Sequence, residues 1–270
     1  MHLKRWITSL LAIPVLFLLI TRGGPFAFSL LVSLISLVAL GEYYRIVFPS
    51  EAGIFREPLV IPGLAAGLAV IWAAYHGSFE AILGILTVDF LLSGMMSVPR
   101  FGAEPAISRK AMEQVLGVVY IPVCLSCLVL IRNGESGLHW FFLVVCVVFA
   151  GDTGAFYAGS FFGKHKLCPP VSPGKTIEGS MGGLAFNVGT ASVYKLLFLP
   201  ELAWVHCILF SLVIGGVGQM GDLYESMLKR SAKIKDSGRI LPGHGGMLDR
   251  IVALLFAAPV AYLFKVWLAP

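Results

Sequence analysis

The chain has 270 residues, of which 57% are hydrophobic and only 13% are charged, and its mean hydropathy is +0.86. Soluble globular proteins carry roughly 25% charged residues, so this composition excludes an ordinary soluble enzyme and predicts an all-α, polytopic integral membrane protein. The formal net charge of +5 does not call for nucleic acid, because the basic residues are sorted between the two ends of the apolar segments, and no nucleic-acid partner is expected.

A membrane-crossing helix needs about 20 mostly apolar residues. Nine stretches satisfy this, over residues 6–21, 25–41, 58–75, 79–98, 114–131, 139–162, 181–199, 203–224 and 247–268. The first follows a basic "MHLKRW" as a signal peptide would, but with eight more spans behind it the reading is an uncleaved helix. The spans follow one another so closely that residues 1–270 are expected to form a single membrane domain. Its N-terminal helices occupy 1–138, and the helices and loops that carry chemistry occupy 139–270. Nine spans put the N-terminus on the same side as the loops after spans two, four, six and eight. That side collects all but four of the 20 lysines and arginines, the exceptions being Arg22, Arg132, Lys195 and Lys265. Basic residues near helix ends stay in the cytoplasm, so these loops and the N-terminus are expected there.

Ionisable groups at membrane depth are costly and point to function by default. Asp89, in "ILTVDFLL", has purely apolar neighbours, which suits a structural partner on another helix. Cys124 and Cys127 form a C-x-x-C inside an apolar span with no second pair, so zinc is not indicated. Asp152, in "VVFAGDTGAFYAG", is flanked by Gly151 and Gly154, whose lack of side chains favours a cavity beside it. After span six comes "GKHKLCPPVSPGKTIEGSMGG". Its Gly174-Lys175-Thr176 mimics the close of a phosphate-binding loop, but position 169 is Pro where that motif needs Gly. Ser172, Lys175 and Thr176 remain fit to contact phosphate oxygens, and Glu178, just before the next span, is expected to lie close to the same ligand.

Asp222 stands near the cytoplasmic end of span eight in "GQMGDLYESMLKR". Helical spacing puts Asp222, Ser226 and Lys229 on one face and sets Glu225 to pair with Lys229. Beyond it, "KIKDSGRILPGHGGMLDR" holds a glycine-rich turn running into the N-terminus of span nine. Such a turn points backbone N–H groups at one place, where the helix dipole adds positive potential. Lys235, Arg239, His244, Gly245, Gly246 and Arg250 would suit a polyphosphate there. Asp249, in the first helical turn, is a dipole partner and a candidate metal ligand. Two basic cytoplasmic loops with carboxylates beside them suggest phosphoryl-type transfer on a lipid. Mg²⁺ is the expected ion, held by Asp222 and Asp249 and completed by water and phosphate oxygens.

Ser226 to Ile251, "SMLKRSAKIKDSGRILPGHGGMLDRI", closely resembles the C-terminal signature of the phosphatidate cytidylyltransferases, also called CDP-diacylglycerol synthases. "GDTGAFYAGSFFGKHKL" and "SPGKTIEGSMGG" resemble that family's upstream motifs. The resemblance is strong over 145–268, whereas the first half matches mainly in hydropathy. It implies the reaction of CTP with phosphatidate to give CDP-diacylglycerol and pyrophosphate, with Mg²⁺ required and room for a second cation. It also implies metal at Asp222 and Asp249, with Asp152 as a further candidate, and phosphate or head-group contacts from Lys229, Arg230, Lys235 and Arg239. Asp236 would hold a basic neighbour or ligand, and His244 would donate to phosphate. The bilayer is the working medium, the size suggests a bacterial inner membrane, and a homodimer is compatible. Two positions depart from the pattern: Val252 replaces an Asp, and Gly174 replaces a Lys. The rival readings are a CTP-dependent polyprenol kinase, which would transfer the γ-phosphate, and an ion-coupled transporter using Asp89 and Asp152.

Overall fold

A computed structural model describes residues 14–48, 53–238 and 245–268. Two compact units emerge, one from Met1–Leu130 with Ile234–Arg250 and the other from Ile131–Lys233 with Ile251–Pro270. The segment just before span nine therefore groups with the N-terminal helices.

In the first unit, residues 14–22 are helical and α1 (Gly24–Val47), α2 (Val60–Tyr75) and α3 (Phe79–Ser97) follow. Pro25 opens α1, where its missing N–H costs nothing. Ser78 caps α3 by accepting the Ala81 N–H at 3.1 Å. The next helix, α4 (Ile107–Asn133), starts a full two turns before the predicted apolar span. Its first turns carry charge that is paired locally: Lys110 Nζ lies 2.7 Å from both Glu57 and Glu104. Midway, Pro122 lacks an N–H to donate, and the helix widens into a π-turn over Val119–Val123. Side chains of α1 set the packing here, with Phe28, Leu40, Tyr43 and Tyr44 all buried. Tyr44 donates to the Gln114 carbonyl at 3.2 Å, and the Gln114 side-chain amide donates to both oxygens of buried Asp89 at 3.0 and 3.1 Å. Asp89 thus has the partner on another helix that its apolar setting demanded.

The second unit contains α5 (Gly137–Phe162), α6 (Ile177–Phe198), α7 (Trp204–Ser231) and most of α8 (Leu248–Leu268). Small residues let these helices approach closely. Asn187 of α6 fills the space a side chain would need at Gly151 of α5 and at Gly215 of α7, and Phe186 covers Gly154. At the far end of the bundle Phe210 packs edge-on against Trp140 and Phe264.

Between α5 and α6 the chain forms a short hairpin. Strands β1 (Lys166–Cys168) and β2 (Ser172–Thr176) pair antiparallel, Lys166 opposite Thr176 and Cys168 opposite Ser172. Helices occupy all eight predicted spans from 25–41 onward. Six of them, α1, α3, α4, α5, α7 and α8, are long and apolar enough to cross a membrane by length and composition. The protein is an all-α polytopic membrane protein, with one small hairpin among the described residues.

Candidate active site

The hairpin, the second half of α5, the start of α6 and α7 enclose a cavity of about 530 Å³ in the second unit, within the size range of small-molecule sites. Each wall has a local cause. Thr176 ends β2 and caps α6, its hydroxyl accepting the Gly179 N–H at 3.1 Å. This fixes where β2 turns into the helix, and hence where Lys175 sits one residue earlier. Glu178 anchors the entry to β1 at the same open end of the hairpin, accepting the backbone N–H groups of Lys164 and His165 at 3.1 and 3.2 Å and lying 2.6 Å from the His165 ring. The His165 ring and these N–H groups hold the Glu178 carboxyl down at about 2.

Polar and apolar groups divide the lining. Asp152 projects from α5 and Asp222 from α7, and Lys175 ion-pairs with Asp222. Ser172, Ser180 and Gln219 add hydroxyl and amide groups, with Gln219 Nε2 donating to the Ser180 carbonyl at 3.1 Å and its Oε1 accepting from the Ser180 hydroxyl. Ala155, Phe156 and Leu167 make an apolar wall. The ammonium and the apolar side fit an anionic head group joined to a hydrocarbon, whereas the two carboxylates beside such an anion call for a cation. The oxygen donors of the site suit Mg²⁺. Among the described residues no three His, Cys, Asp or Glu side chains gather in one place. A closed protein cage is therefore not on offer, but Mg²⁺ characteristically takes only one or two carboxylates and completes its shell from water and phosphate.

Of the residues proposed from sequence, Asp152, Ser172, Lys175, Thr176 and Asp222 line this one cavity. Glu178 is turned to the base of the hairpin. Lys229 bonds Glu225 one turn back at 3.0 Å, as the helical spacing predicted, while Arg230 is exposed. Asp152 lies at a cavity, as its flanking glycines suggested, but the glycines do not line it: Asn187 and Phe186 occupy the room they leave. Ser180 and Gln219 were missed because a serine and a glutamine carry no charge signal at membrane depth.

Asp249 lies in the first unit. Its Oδ2 accepts the N–H of Ser237 at 3.0 Å and that of Gly246 at 2.9 Å. Lys235 and Asp236, just before Ser237, are exposed, Arg250 is exposed on the first turn of α8, Gly245 takes φ of 81°, and Gly246 is buried. Arg239 and His244 fall outside the described residues. Val252, where the resembling family has an acid, is buried at 4% exposure; an apolar residue suits that position. Glu42 of α1, unnoticed in the sequence, is fully buried against this segment and receives three of its hydrogen bonds.

Comparison with known proteins agrees with the motifs. The profile of the cytidylyltransferase family matches residues 3–268. The chain is similar to the phosphatidate cytidylyltransferase of Bacillus subtilis (strain 168), at 32% identity over 277 residues covering 96% of each chain. It is also similar to proteins of that name from Staphylococcus saprophyticus, 32% identical over 264 residues, and Staphylococcus aureus (strain COL), 31% identical over 261 residues. Each match spans 95% of this chain and 96% of the relative.

Proposed function

Because the chain belongs to the cytidylyltransferase family, we propose that it joins CTP to phosphatidate, giving CDP-diacylglycerol and pyrophosphate, in the cavity between α5, the hairpin and α7. One observation carries the reading: Lys175, Asp222 and Asp152 share a ligand-sized cavity whose remaining wall is apolar. An oxygen of the phosphatidate phosphate attacks the α-phosphorus of CTP, the bond from that phosphorus to the β-bridging oxygen breaks, and the electron pair leaves on pyrophosphate. A phosphate monoester is largely dianionic at neutral pH, its second pKa being about 6. No strong general base is needed, which matches a cavity whose described lining residues include carboxylates and an ammonium and no histidine.

Lys175 neutralises charge on the reacting phosphates, exchanging its bond to Asp222 for phosphate oxygens. Ser172, paired with Cys168 across the hairpin, donates a hydroxyl to the same oxygens. Asp222 and Asp152 would hold Mg²⁺, which when bound supplies Lewis-acid stabilisation of the phosphates. Phe156, Ala155 and Leu167 exclude water and accept the lipid end of the substrate.

The basic loops support a reading in which this chemistry faces the cytoplasm of a bacterial cell, where CTP is available, with nine spans and a cytoplasmic N-terminus. The test uses purified protein in detergent with Mg²⁺, phosphatidate and CTP labelled at the α-phosphorus. Label should move into lipid with release of pyrophosphate. Label that stays in CDP while γ-phosphate enters lipid would replace this reading with a lipid kinase, and no CTP consumption would remove the enzyme reading.

A further inference from the structure

Within the first unit, Glu42 sits in the last two turns of α1 with its side chain sealed from solvent. Its Oε1 accepts the Met247 N–H at 3.0 Å, and its Oε2 accepts the Leu248 N–H at 2.9 Å and the Ser237 hydroxyl at 3.1 Å. These donors come from both flanks of the segment between α7 and α8, and two of them are orphan N–H groups at the N-terminus of α8. A carboxylate there satisfies the orphan donors and the positive end of the helix dipole at once. Gly238 and Gly246 press on the same carboxylate, since a side chain at either position would collide with Glu42. Asp249 closes the other side by bonding the Ser237 and Gly246 N–H groups.

We propose that Glu42 is a positioning residue for catalysis, the buried half of a two-carboxylate clasp that sets the backbone course of Ser237–Gly238 and Gly246–Leu248. This rests on the cytidylyltransferase reading. Lys235 and Asp236 directly precede Ser237, and Arg250 follows Asp249, so the clasp determines where the charged groups of the signature are presented. Glu42 itself is buried and is not among the residues lining the cavity described above. Its contribution passes through the backbone it holds.

The choice of a carboxylate is chemical. Three donors converge on two oxygens, and all three are N–H or O–H groups. Glutamine has the same shape but one of its two terminal atoms is an NH₂ donor, which would face a donor at Leu248 or Met247. Shape alone would therefore not preserve the clasp.

The experiment compares the full chain with its Glu42→Gln and Ser237→Ala variants in detergent. Initial rates are read over CTP and phosphatidate concentrations, and tryptic cleavage after Lys235 is followed in parallel. Glu42→Gln should lower kcat at least tenfold with the KM for phosphatidate unchanged, and should speed cleavage after Lys235 severalfold. Ser237→Ala, which removes one of the three bonds, should give a smaller change in the same direction. The double variant should be no worse than Glu42→Gln alone, because both act through one clasp. Wild-type kcat and wild-type cleavage in Glu42→Gln would overturn the proposal. If Glu42→Gln fails to fold, the Ser237→Ala variant decides by the same two readouts, and wild-type values for both would overturn it. If wild-type protein leaves CTP untouched, the catalytic reading fails, and unchanged cleavage in Glu42→Gln would remove the clasp as well.

Discussion

Lys175→Ala separates a catalytic ammonium from a structural ion pair. Lys175 and Asp222 are bonded across the cavity, with side chains 29% and 38% exposed. A pair this open to solvent contributes only about 0–1 kcal/mol to stability, because water screens it and two side chains must be ordered to make it. No helix cap or backbone bond depends on the lysine side chain: Thr176 caps α6, and Glu178 anchors the hairpin. The midpoint of thermal unfolding should therefore fall by no more than about 2–4 °C, the shift that roughly 1 kcal/mol produces in a domain of 150–250 residues. The transition state loses far more. Removing one preorganised donor to a developing anion costs about 10²–10³ in kcat, or roughly 3–4 kcal/mol. Initial rates of label transfer from CTP to lipid, measured beside a thermal unfolding scan, give both numbers. Lys175→Arg should recover part of the rate, because the charge remains while the planar fork fits the site differently. A kcat within threefold of wild type in Lys175→Ala would refute the assignment. So would a loss of rate accompanied by a fall of 10 °C or more, which would make the lysine a structural residue.

Two further predictions concern the scaffold around this cavity. Gly151→Ala would drive a methyl group into Asn187, and overpacking of this kind costs about 1–3 kcal/mol; thermal midpoints should show the loss and should show less of it in an Asn187→Ala background. Unchanged stability in the single variant would mean that α5 and α6 have room to separate. For Glu178, whose folded-state pKa of about 2 lies below the ordinary value of 4.5, the stabilisation is fully present above about pH 4.5 and is lost as pH falls toward 2. Glu178→Gln should consequently be less stable than wild type at pH 6, with the gap closing between pH 5 and 2; a gap independent of pH would place the effect outside the carboxylate.

What is local in this protein is legible in its sequence. Hydrocarbon admits only backbones that satisfy their own hydrogen bonds, over about 20 residues at a time, so apolar runs alone locate the helices. The Glu225–Lys229 pair follows from helical spacing on one element. The carboxylates Asp152 and Asp222 stand out because charge at that depth needs a reason, and the signature from Ser226 to Ile251 names a chemistry through its residue order. Contacts between distant elements followed no such rule. Gly151 and Gly154 pointed to the cavity that Asp152 lines, yet whether a glycine leaves a void or admits a neighbour depends on the facing helix, and α6 brings Asn187 to Gly151. Gln219 joins the site because α6 sets Ser180 opposite it. Glu42 reads as an acid at the end of a span until folding carries Leu248, 206 positions later, onto its carboxylate. Hydropathy records which groups must leave water, whereas the partner that satisfies each buried charge is chosen by the packing of helices far apart in the chain.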